Sequence, residues 1–422
     1  MAGSESPLGL VEPLDILSSR AVGVAGKTAR GAADVGPDET GADEVASDEV
    51  GSDRLGLASV HQRFSVPVDY PVVFEQDCLG PSARALDWAI GRLEPGELHR
   101  VCVVLDAGVV AATPDFSARL DAFFQARSSR LELCAAPEVL PGGEAAKADW
   151  SVVSRLHQAW LTARLDRHSV VVAIGGGAVL DAVGFAAATF HRGLRLVRVP
   201  TTVLAQNDAG LGVKNGLNAF GQKNLVGTFA APFAVVCDAS FFATLEERDQ
   251  RAGMAEAVKV ALIRDRAFFE WLEENASALA AFDPAPLKEL VRRAAELHLG
   301  HIARGGDPFE SGSARPLDFG HWAAHKLEVM TGHELRHGEA VAIGLGLDCL
   351  LSVELGFLPR ALALRVTSLL QKLGFSLVHP QLSERKGGEL SILAGLEDFR
   401  QHMGGRLALP MLRDLGQSHE VG

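Results

Sequence analysis

The sequence predicts an α/β N-terminal domain on a Rossmann-like parallel sheet, followed by an all-helical C-terminal domain. Short apolar runs suited to strands recur between residues 101 and 238, and helix-like stretches separate several of them. Such alternation indicates a parallel sheet with helices on its faces. After Thr244 the character changes, and helical periodicity runs from RDQRAGMAEAVKVALI to the C-terminus with few strand signals. The expected division is therefore 1–58 for an acidic tail, 59–245 for the α/β domain and 246–422 for the helical domain. A cleft between the two domains is the natural place for a ligand.

The tail comes first. Residues 1–60 carry 11 acidic and 4 basic side chains, and GAADVGPDETGADEVASDEVGSD repeats small and acidic residues without apolar periodicity. Such a stretch cannot bury enough surface to offset chain entropy, so a disordered tail is expected. It lacks the basic and apolar regions of a signal peptide and is too acidic for a transit peptide. The whole chain has 422 residues, 47% of them hydrophobic, which suits two globular cores. Its formal charge of −13 argues against general nucleic-acid binding. Five scattered cysteines without a CxxC pair indicate neither a disulfide framework nor a thiolate zinc site, and a reducing cytoplasm is expected.

In the α/β part, strands are expected at VCVVLDAG (101–108), LELCAAP (131–137), VVVAIG (170–175), LRLVRVP (194–200) and FAVVCD (233–238). Helices are expected at SARALDWAIGRL and VVSRLHQAWLTARL. From Val170 to Phe190 the only charge is Asp181, and 21 residues are enough to span a bilayer. The glycine triplet and central aspartate predict strand, turn and helix instead, so no membrane span is expected.

The strand VVVAI, then Gly175, Gly176 and Gly177, then a helix, is a geometry that cradles a pyrophosphate on backbone N–H groups. The glycines are adjacent and do not form GxGxxG, so a tight turn alone would also account for them. PGGEAAKAD puts Glu144 and Lys147 in a second loop compatible with phosphate. QNDAGLGVKNGLNAFGQKNLVGTF reads as a glycine-rich loop bearing Asp208, Lys214, Asn218, Lys223 and Asn224, suited to a phosphorylated, hydroxyl-rich small molecule. A solvated surface loop has the same composition.

In the helical part, Glu256 and Lys259 share one face of an otherwise apolar stretch. His321 and His325 are four apart in FGHWAAHKLE, and His337 opens a later helix in LRHGEAVAIG. One glutamate and two histidines from separate helices is the composition of a catalytic zinc site. The His321/His325 pair is an alternative ligand pair, as i, i+4 histidines are in zinc proteases.

The ordered series GGGAVLDAVGFAAATFHRG, VPTTVLAQNDAGLGVKNGLN, KNLVGTF, AGMAEAVK, DFGHWAAHKLE and LRHGEAVAIG resembles the dehydroquinate synthase superfamily of sugar-phosphate cyclases, over about residues 62–410. The stretch GGDPFESGSARPLDFGHWAAHKLE is most similar to the branch called EboD, near the sedoheptulose 7-phosphate cyclases. The resemblance implies a nucleotide-binding domain joined to a metal-binding one, with NAD as a recycled oxidant and zinc, for which cobalt would substitute. It implies Glu256, His321 and His337 as zinc ligands. It places Asp106, Glu144, Lys147, Gly176, Gly177, Asp181, Thr201, Thr202 and Thr244 at NAD. Lys214, Asn224, Lys259 and His325 would face the substrate phosphate, with Arg192 reaching it from the other subunit of a homodimer. Asp208 and Lys223 would contact the ring-forming part of the substrate.

The implied chemistry is oxidation, phosphate elimination, reduction and intramolecular aldol closure. Departures from dehydroquinate synthase bear on the substrate. The arginine just ahead of the Asn in that family's LNxGH motif falls at Ala314, with Arg315 displaced by one, and the Asn is Asp318. The family lysine upstream is absent, with Gly300 and His301 in its region, and FRQHMGGR replaces a DKK-type segment, leaving Arg400 or His402 there. A carboxylate calls for a bidentate arginine, so its loss favours sedoheptulose 7-phosphate and a 2-epi-valiolone-type product. Three rivals stand beside this reading: dehydroquinate synthase itself, a metal-dependent alcohol dehydrogenase, and a non-catalytic ligand-binding relative.

Overall fold

The computed structural model describes residues 50–52, 58–60, 62–304, 309, 316–402 and 404–422. The acidic tail thus lies almost wholly outside the described residues, as do Ala314 and Arg315. The chain divides into two compact units, one of them Gly26–Asp69 and the other containing Tyr70–Gly422. In the smaller unit, β1 (Val50–Ser52) and β2 (Ala58–Val60) pair antiparallel.

The larger unit continues with β3 (Val72–Glu75), β4 (His99–Asp106), β5 (Leu131–Leu133), β6 (Glu138–Leu140), β7 (Val170–Gly175), β8 (Arg195–Pro200), β9 (Lys214–Ala219), β10 (Gln222–Phe229) and β11 (Ala234–Asp238). Seven strands form one sheet in the order β3-β11-β8-β7-β4-β5, with β6 also pairing β4, and every pairing is parallel. All of β7 is buried, because helices cover both faces and a central parallel strand reads as unbroken apolar sequence. Val172 and Ile174 pack on one face with Leu86 and Ile90 of α1 (Ala85–Gly91) and, past α2 (Ala107–Ala112), with Leu120 and Phe123 of α3 (Phe116–Ala126). Val171 and Ala173 pack on the other with Leu156 and Trp160 of α4 (Trp150–Thr162) and Leu180 and Val183 of α5 (Gly177–Thr189). The two-residue period of a strand sorts these side chains. Gly175 is level with Pro200, and Ile174 with Leu105, so β4, β7 and β8 end together and present their loops at one edge.

The stretch from Lys214 to Phe229 is an antiparallel hairpin, β9 with β10, where the sequence suggested a loop. Phe220 (φ 51) and Gly221 (φ 75) make the two-residue turn, whose positive φ values match the twist of the strands. The fully buried Arg198 of β8 anchors its approach, donating to the carbonyls of Gly212 (2.7 Å) and Gly210 (3.2 Å) and to Asn215 Oδ1 (2.5 Å).

Beyond Thr244 come α6 (Glu247–Arg264), α7 (Arg266–Glu274), α8 (Ala276–Ala280), α9 (Pro284–Arg304), α10 (His321–Met330), α11 (His337–Glu354), α12 (Arg360–Lys372) and α13 (Ala394–His402). Residues 252–263 of α6 are buried all round, within a core that includes Trp322, Leu327, Val341 and Leu345. This part is not purely helical. A short pair, β12 (Arg385–Lys386) and β13 (Glu389–Leu390), and a hairpin of β14 (Leu409–Asp414) and β15 (Gln417–Val421) complete it, and Met411 and Leu412 join the helical core. Among the described residues no helix is long and apolar enough to cross a membrane, and Val170–Phe190 is β7 followed by α5.

Candidate active site

At the sheet edge, α5 begins at Gly176, which caps it in an extended conformation without a side-chain hydrogen bond. A glycine cap has no side chain to offer the first-turn N–H groups, and a helix start of this kind can receive an anion. Asp106 Oδ1 accepts from Gly108 N at 2.8 Å, and Oδ2 accepts from Gly176 N at 3.3 Å, so this carboxylate ties the ends of β4 and β7 together. Gly177 lies against Ala209, and Thr201 N donates to Gly175 O at 3.0 Å. Thr202 Oγ1 accepts from Ala205 N at 3.0 Å, opening the single π-turn Ala205–Ala209 that carries Asp208. Thr244 Oγ1 donates to Phe241 O at 2.7 Å and lines a cavity of about 370 Å³ with Asp77, Arg119 and Asp238.

A polar ladder crosses from this edge to the helical part. Lys147, nearly buried, donates to Asp181 at 2.7 Å and to Asn224 Oδ1. Asn224 N donates to Asn218 Oδ1 at 3.0 Å, and Asn218 Nδ2 donates to Glu144 Oε2 at 2.7 Å. Lys223 Nζ lies 3.4 Å from Glu144 and 3.0 Å from Glu328. Burial raises the Glu144 carboxyl, but Asn218, Lys223 and Lys147 more than offset this and hold it below its ordinary range.

The ladder ends at three residues from three helices. Glu256 Oε1 is 3.5 Å from His321 Nε2 and 3.3 Å from His337 Nε2, and Lys259 Nζ is 2.5 Å from Glu256 Oε2. Both Glu256 oxygens are buried without a well-formed hydrogen bond. Burial raises this carboxyl, but Lys259 and the two imidazoles overcome it and hold it well below the usual range.

The outer ring nitrogens test whether a metal fits. His321 Nδ1 is 3.2 Å from the Phe319 carbonyl, and His337 Nδ1 is 3.3 Å from Glu328 Oε2. A carbonyl and a carboxylate only accept, so a proton held on each Nδ1 leaves each Nε2, on the side facing Glu256, as the nitrogen a cation would use. Two imidazole nitrogens and a carboxylate converging on one point suit a cation, in the arrangement of a histidine-rich zinc site with its outer acceptors. Without one, the carboxylates push His337 up to about 10 against the opposing effect of burial. The donor set fits zinc. Ligand atoms of Glu256, His321 and His337 lie within 4.8 Å of one another, as do those of His325, Glu328 and His337, while the rings of His321 and His325 are 5.3 Å apart.

Backbone contact fixes this geometry. A Cβ on Gly338 would sit 1.8 Å from Ala252 O, and one on Gly344 would sit 1.9 Å from Gly320 O. Helix α11 therefore lies directly against the approaches to Glu256 on α6 and to His321 on α10. The fully buried Asp348 accepts from Gly320 N at 2.7 Å and from Trp322 Nε1 at 2.6 Å, clamping the residues on either side of His321.

His325 is exposed beside the cluster, its ring centroid 5.3 Å from that of His321. Lys214 is exposed at the start of β9. Arg192 is exposed past the C-terminal end of α5. That helix has 13 residues, about 20 Å at its rise per residue, so Arg192 stands far from the Gly176 end of its own chain. Arg400 pairs with Glu397 on its own helix, and His301 Nδ1 accepts from Arg264 at 2.8 Å.

Sequence reasoning missed Glu328, which His337 and Lys223 hold at about 2 against the effect of burial. Its signal was available: Glu328 follows His321 by seven and His325 by three, on one helical face. Asp348 left no such signal, because its partners Gly320 and Trp322 are distant in sequence.

A sheet whose central loops gather at one edge, joined to helices that converge a carboxylate and two imidazoles, defines a class of two-part α/β enzymes. The chain belongs to the 3-dehydroquinate synthase family, among the sugar-phosphate cyclases: the N-terminal domain of that family matches residues 138–252 and its C-terminal domain residues 253–390. It is 39% identical to the 3-dehydroquinate synthase of Pseudomonas putida (strain W619) over 286 residues, 67% of this chain and 76% of that one. It is 40% identical to that of Azotobacter vinelandii over 295 residues, 68% of this chain and 76% of that one. Among solved structures it resembles ValA (2-epi-5-epi-valiolone synthase) from Streptomyces hygroscopicus subsp. jinggangensis 5008 with NAD+ and Zn2+ bound, at 30% identity and TM-score 0.74, covering 86% of this chain and 94% of that one. A 2-deoxy-scyllo-inosose synthase complexed with carbaglucose-6-phosphate, NAD+ and Co2+ shares the fold at 24% identity and TM-score 0.68, covering 82% of this chain and 90% of that one.

Proposed function

We propose that this chain is an NAD- and zinc-dependent cyclase that converts sedoheptulose 7-phosphate to a 2-epi-valiolone-type carbocycle with release of phosphate. The observation that carries the reading is the convergence of Glu256, His321 and His337 at the end of a ladder of lysines and amides leading from the Gly176 helix start. Glu256, His321 and His337 hold the zinc. Asp106, Glu144, Lys147, Gly176, Gly177, Asp181, Thr201, Thr202 and Thr244 surround NAD. When bound, NAD supplies a reversible hydride acceptor and zinc polarises the hydroxyl that is oxidised.

The chain's own groups do the rest. Lys214, Lys259, Asn224 and His325 position and stabilise the departing phosphate, while Asp208 and Lys223 orient the carbon chain for ring closure. Arg192 acts across a homodimer, since its own site is a helix length away. Support for the neutral heptulose comes from the likeness to ValA and from Ala314, where the sequence offers no arginine at the carboxylate position. The five unpaired cysteines suit a cytoplasmic enzyme.

The second reading is 3-dehydroquinate synthase, favoured by the names of the 39–40% identical relatives. The test is phosphate release by zinc- and NAD-loaded enzyme given sedoheptulose 7-phosphate or the heptulosonate 7-phosphate acid. Release from the ketose without net NADH is expected. Release from the acid alone refutes the proposal and establishes the second reading.

A further inference from the structure

Arg198 stands in the middle of β8 and is fully buried. Taking a guanidinium out of water is costly, and a neutral side chain would fill the same space without that cost. The acceptors it meets are neutral too. Nη1 donates to the carbonyls of Gly210 (3.2 Å) and Gly212 (2.7 Å), and Nη2 to the carbonyl of Lys214 (3.3 Å) and to Asn215 Oδ1 (2.5 Å). What the buried charge secures is therefore the shape of a short run of backbone.

That run is held at every step. Leu211 O accepts from the Tyr70 hydroxyl at 2.9 Å, and Val213 O accepts from Ala230 N at 2.8 Å and from Asn215 Nδ2 at 3.2 Å. The consecutive carbonyls 210 to 214 are thus all pinned, although no helix or strand includes 210–213 and β9 begins only at Lys214. Helix α5 lies against the arrangement: a Cβ on Gly184 would sit 1.8 Å from Asn215 Oδ1 and 3.4 Å from Arg198 Nη2. Asp208 stands just before the run and Lys214 closes it. Irregular backbone between two functional groups leaves their separation undetermined unless something fixes it, and here a planar guanidinium fork does so.

We propose that Arg198 is a positioning residue for the phosphate end of the substrate: through the 210–214 backbone it fixes where Lys214 stands, without touching the substrate itself. The inference rests on the cyclase reading above for the role of Lys214, and goes beyond it by naming a residue outside the site that sets the site's geometry. It holds for either heptulose 7-phosphate, since both carry the phosphate. Arg198 was not among the site residues expected from sequence.

The experiment is a double-mutant cycle in zinc- and NAD-loaded enzyme, with Arg198→Lys, Lys214→Met and the two combined. Equilibrium binding of inorganic phosphate is read by calorimetry, with zinc content, NAD affinity and thermal midpoint for each protein. KM and kcat are read for wild type and Arg198→Lys with whichever heptulose 7-phosphate is turned over. Arg198→Lys keeps the charge and loses the fork, so its effect comes from placement rather than field. Lys214→Met should weaken phosphate binding roughly a hundredfold. Arg198→Lys should weaken it roughly tenfold, raising KM more than it lowers kcat and leaving zinc and NAD affinity unchanged. The combined variant should bind phosphate no more weakly than Lys214→Met, because Arg198 acts through that lysine. Tyr70→Phe, which frees only the Leu211 carbonyl, takes the place of Arg198→Lys where that protein does not fold. It should weaken phosphate roughly threefold, and the effect should vanish in the Lys214→Met background. Phosphate binding unchanged in Arg198→Lys, or weakened by the same factor whether or not Lys214 is present, overturns this inference alone. A wild-type enzyme that releases phosphate from neither sugar overturns the cyclase reading, and this inference falls with it.

Discussion

Asp348 offers a sharp test of how the metal site is held, because substituting it should strengthen the fold and weaken the site. Burial pushes its carboxyl from the ordinary 3.8 up to about 7, even though Trp322 and Gly320 both donate to it. A carboxyl whose folded pKa is raised binds protons more tightly when folded, so its contribution to stability is intact below about pH 4 and is lost as pH rises toward 7. The shift of about 3 units corresponds to roughly 4 kcal/mol withheld from the fold at pH 8. Asp348→Asn imitates the protonated acid, so the variant should match wild type near pH 4 and exceed it by up to about 4 kcal/mol at pH 8. Its amide, however, presents an N–H to one of two donors on either side of His321. The turn must yield, and zinc affinity should fall about tenfold or more. Urea unfolding of metal-free protein between pH 4 and 8, with chelator competition for zinc, reads both effects. A variant that is less stable at pH 8, or that binds zinc like wild type, refutes the reasoning.

Other substitutions separate packing from chemistry. Gly344→Ala would place a methyl 1.9 Å from Gly320 O, a backbone clash expected to cost about 3 kcal/mol and visible in urea melts. Glu328→Gln removes the charge that His337 Nδ1 faces at 3.3 Å, and zinc affinity should drop about 10–100-fold in chelator competition. Lys147→Met strands Asp181 at one end of the ladder, where the carboxylate keeps 21% of its exposure. The cost should be about 3 kcal/mol, the low end for a broken buried pair, with weaker NAD binding by fluorescence titration.

The parallel sheet was legible because its strands are buried on both faces, and runs such as VVVAIG have no other economical reading. The hairpin β9/β10 was not. Most of β10 faces solvent, five of its eight residues (QKNLVGTF) are polar or glycine, and its turn uses Phe220 where Asn or Asp is the recognisable signal. The terminal hairpin escaped because Leu409 to Leu412 are buried against helices distant in sequence, so their strand character depends on tertiary contacts. Within the site, residues at helical spacing such as Glu256 and Lys259 could be paired by eye. His298 facing Asp208, and Asp348 clamping Gly320, join elements 90 and 28 residues apart. No local pattern announces such contacts.

The lysine at position 223 gives the glycine-rich edge and the metal-fitting cluster a common neighbour. It lies 3.4 Å from Glu144, beside the glycine-rich edge, and 3.0 Å from Glu328, the carboxylate behind His337. Whatever tightens one end of that bridge is felt at the other as a change in binding free energy, and such coupling is reciprocal. The factor by which dinucleotide raises or lowers the affinity for metal must equal the factor by which metal changes the affinity for dinucleotide.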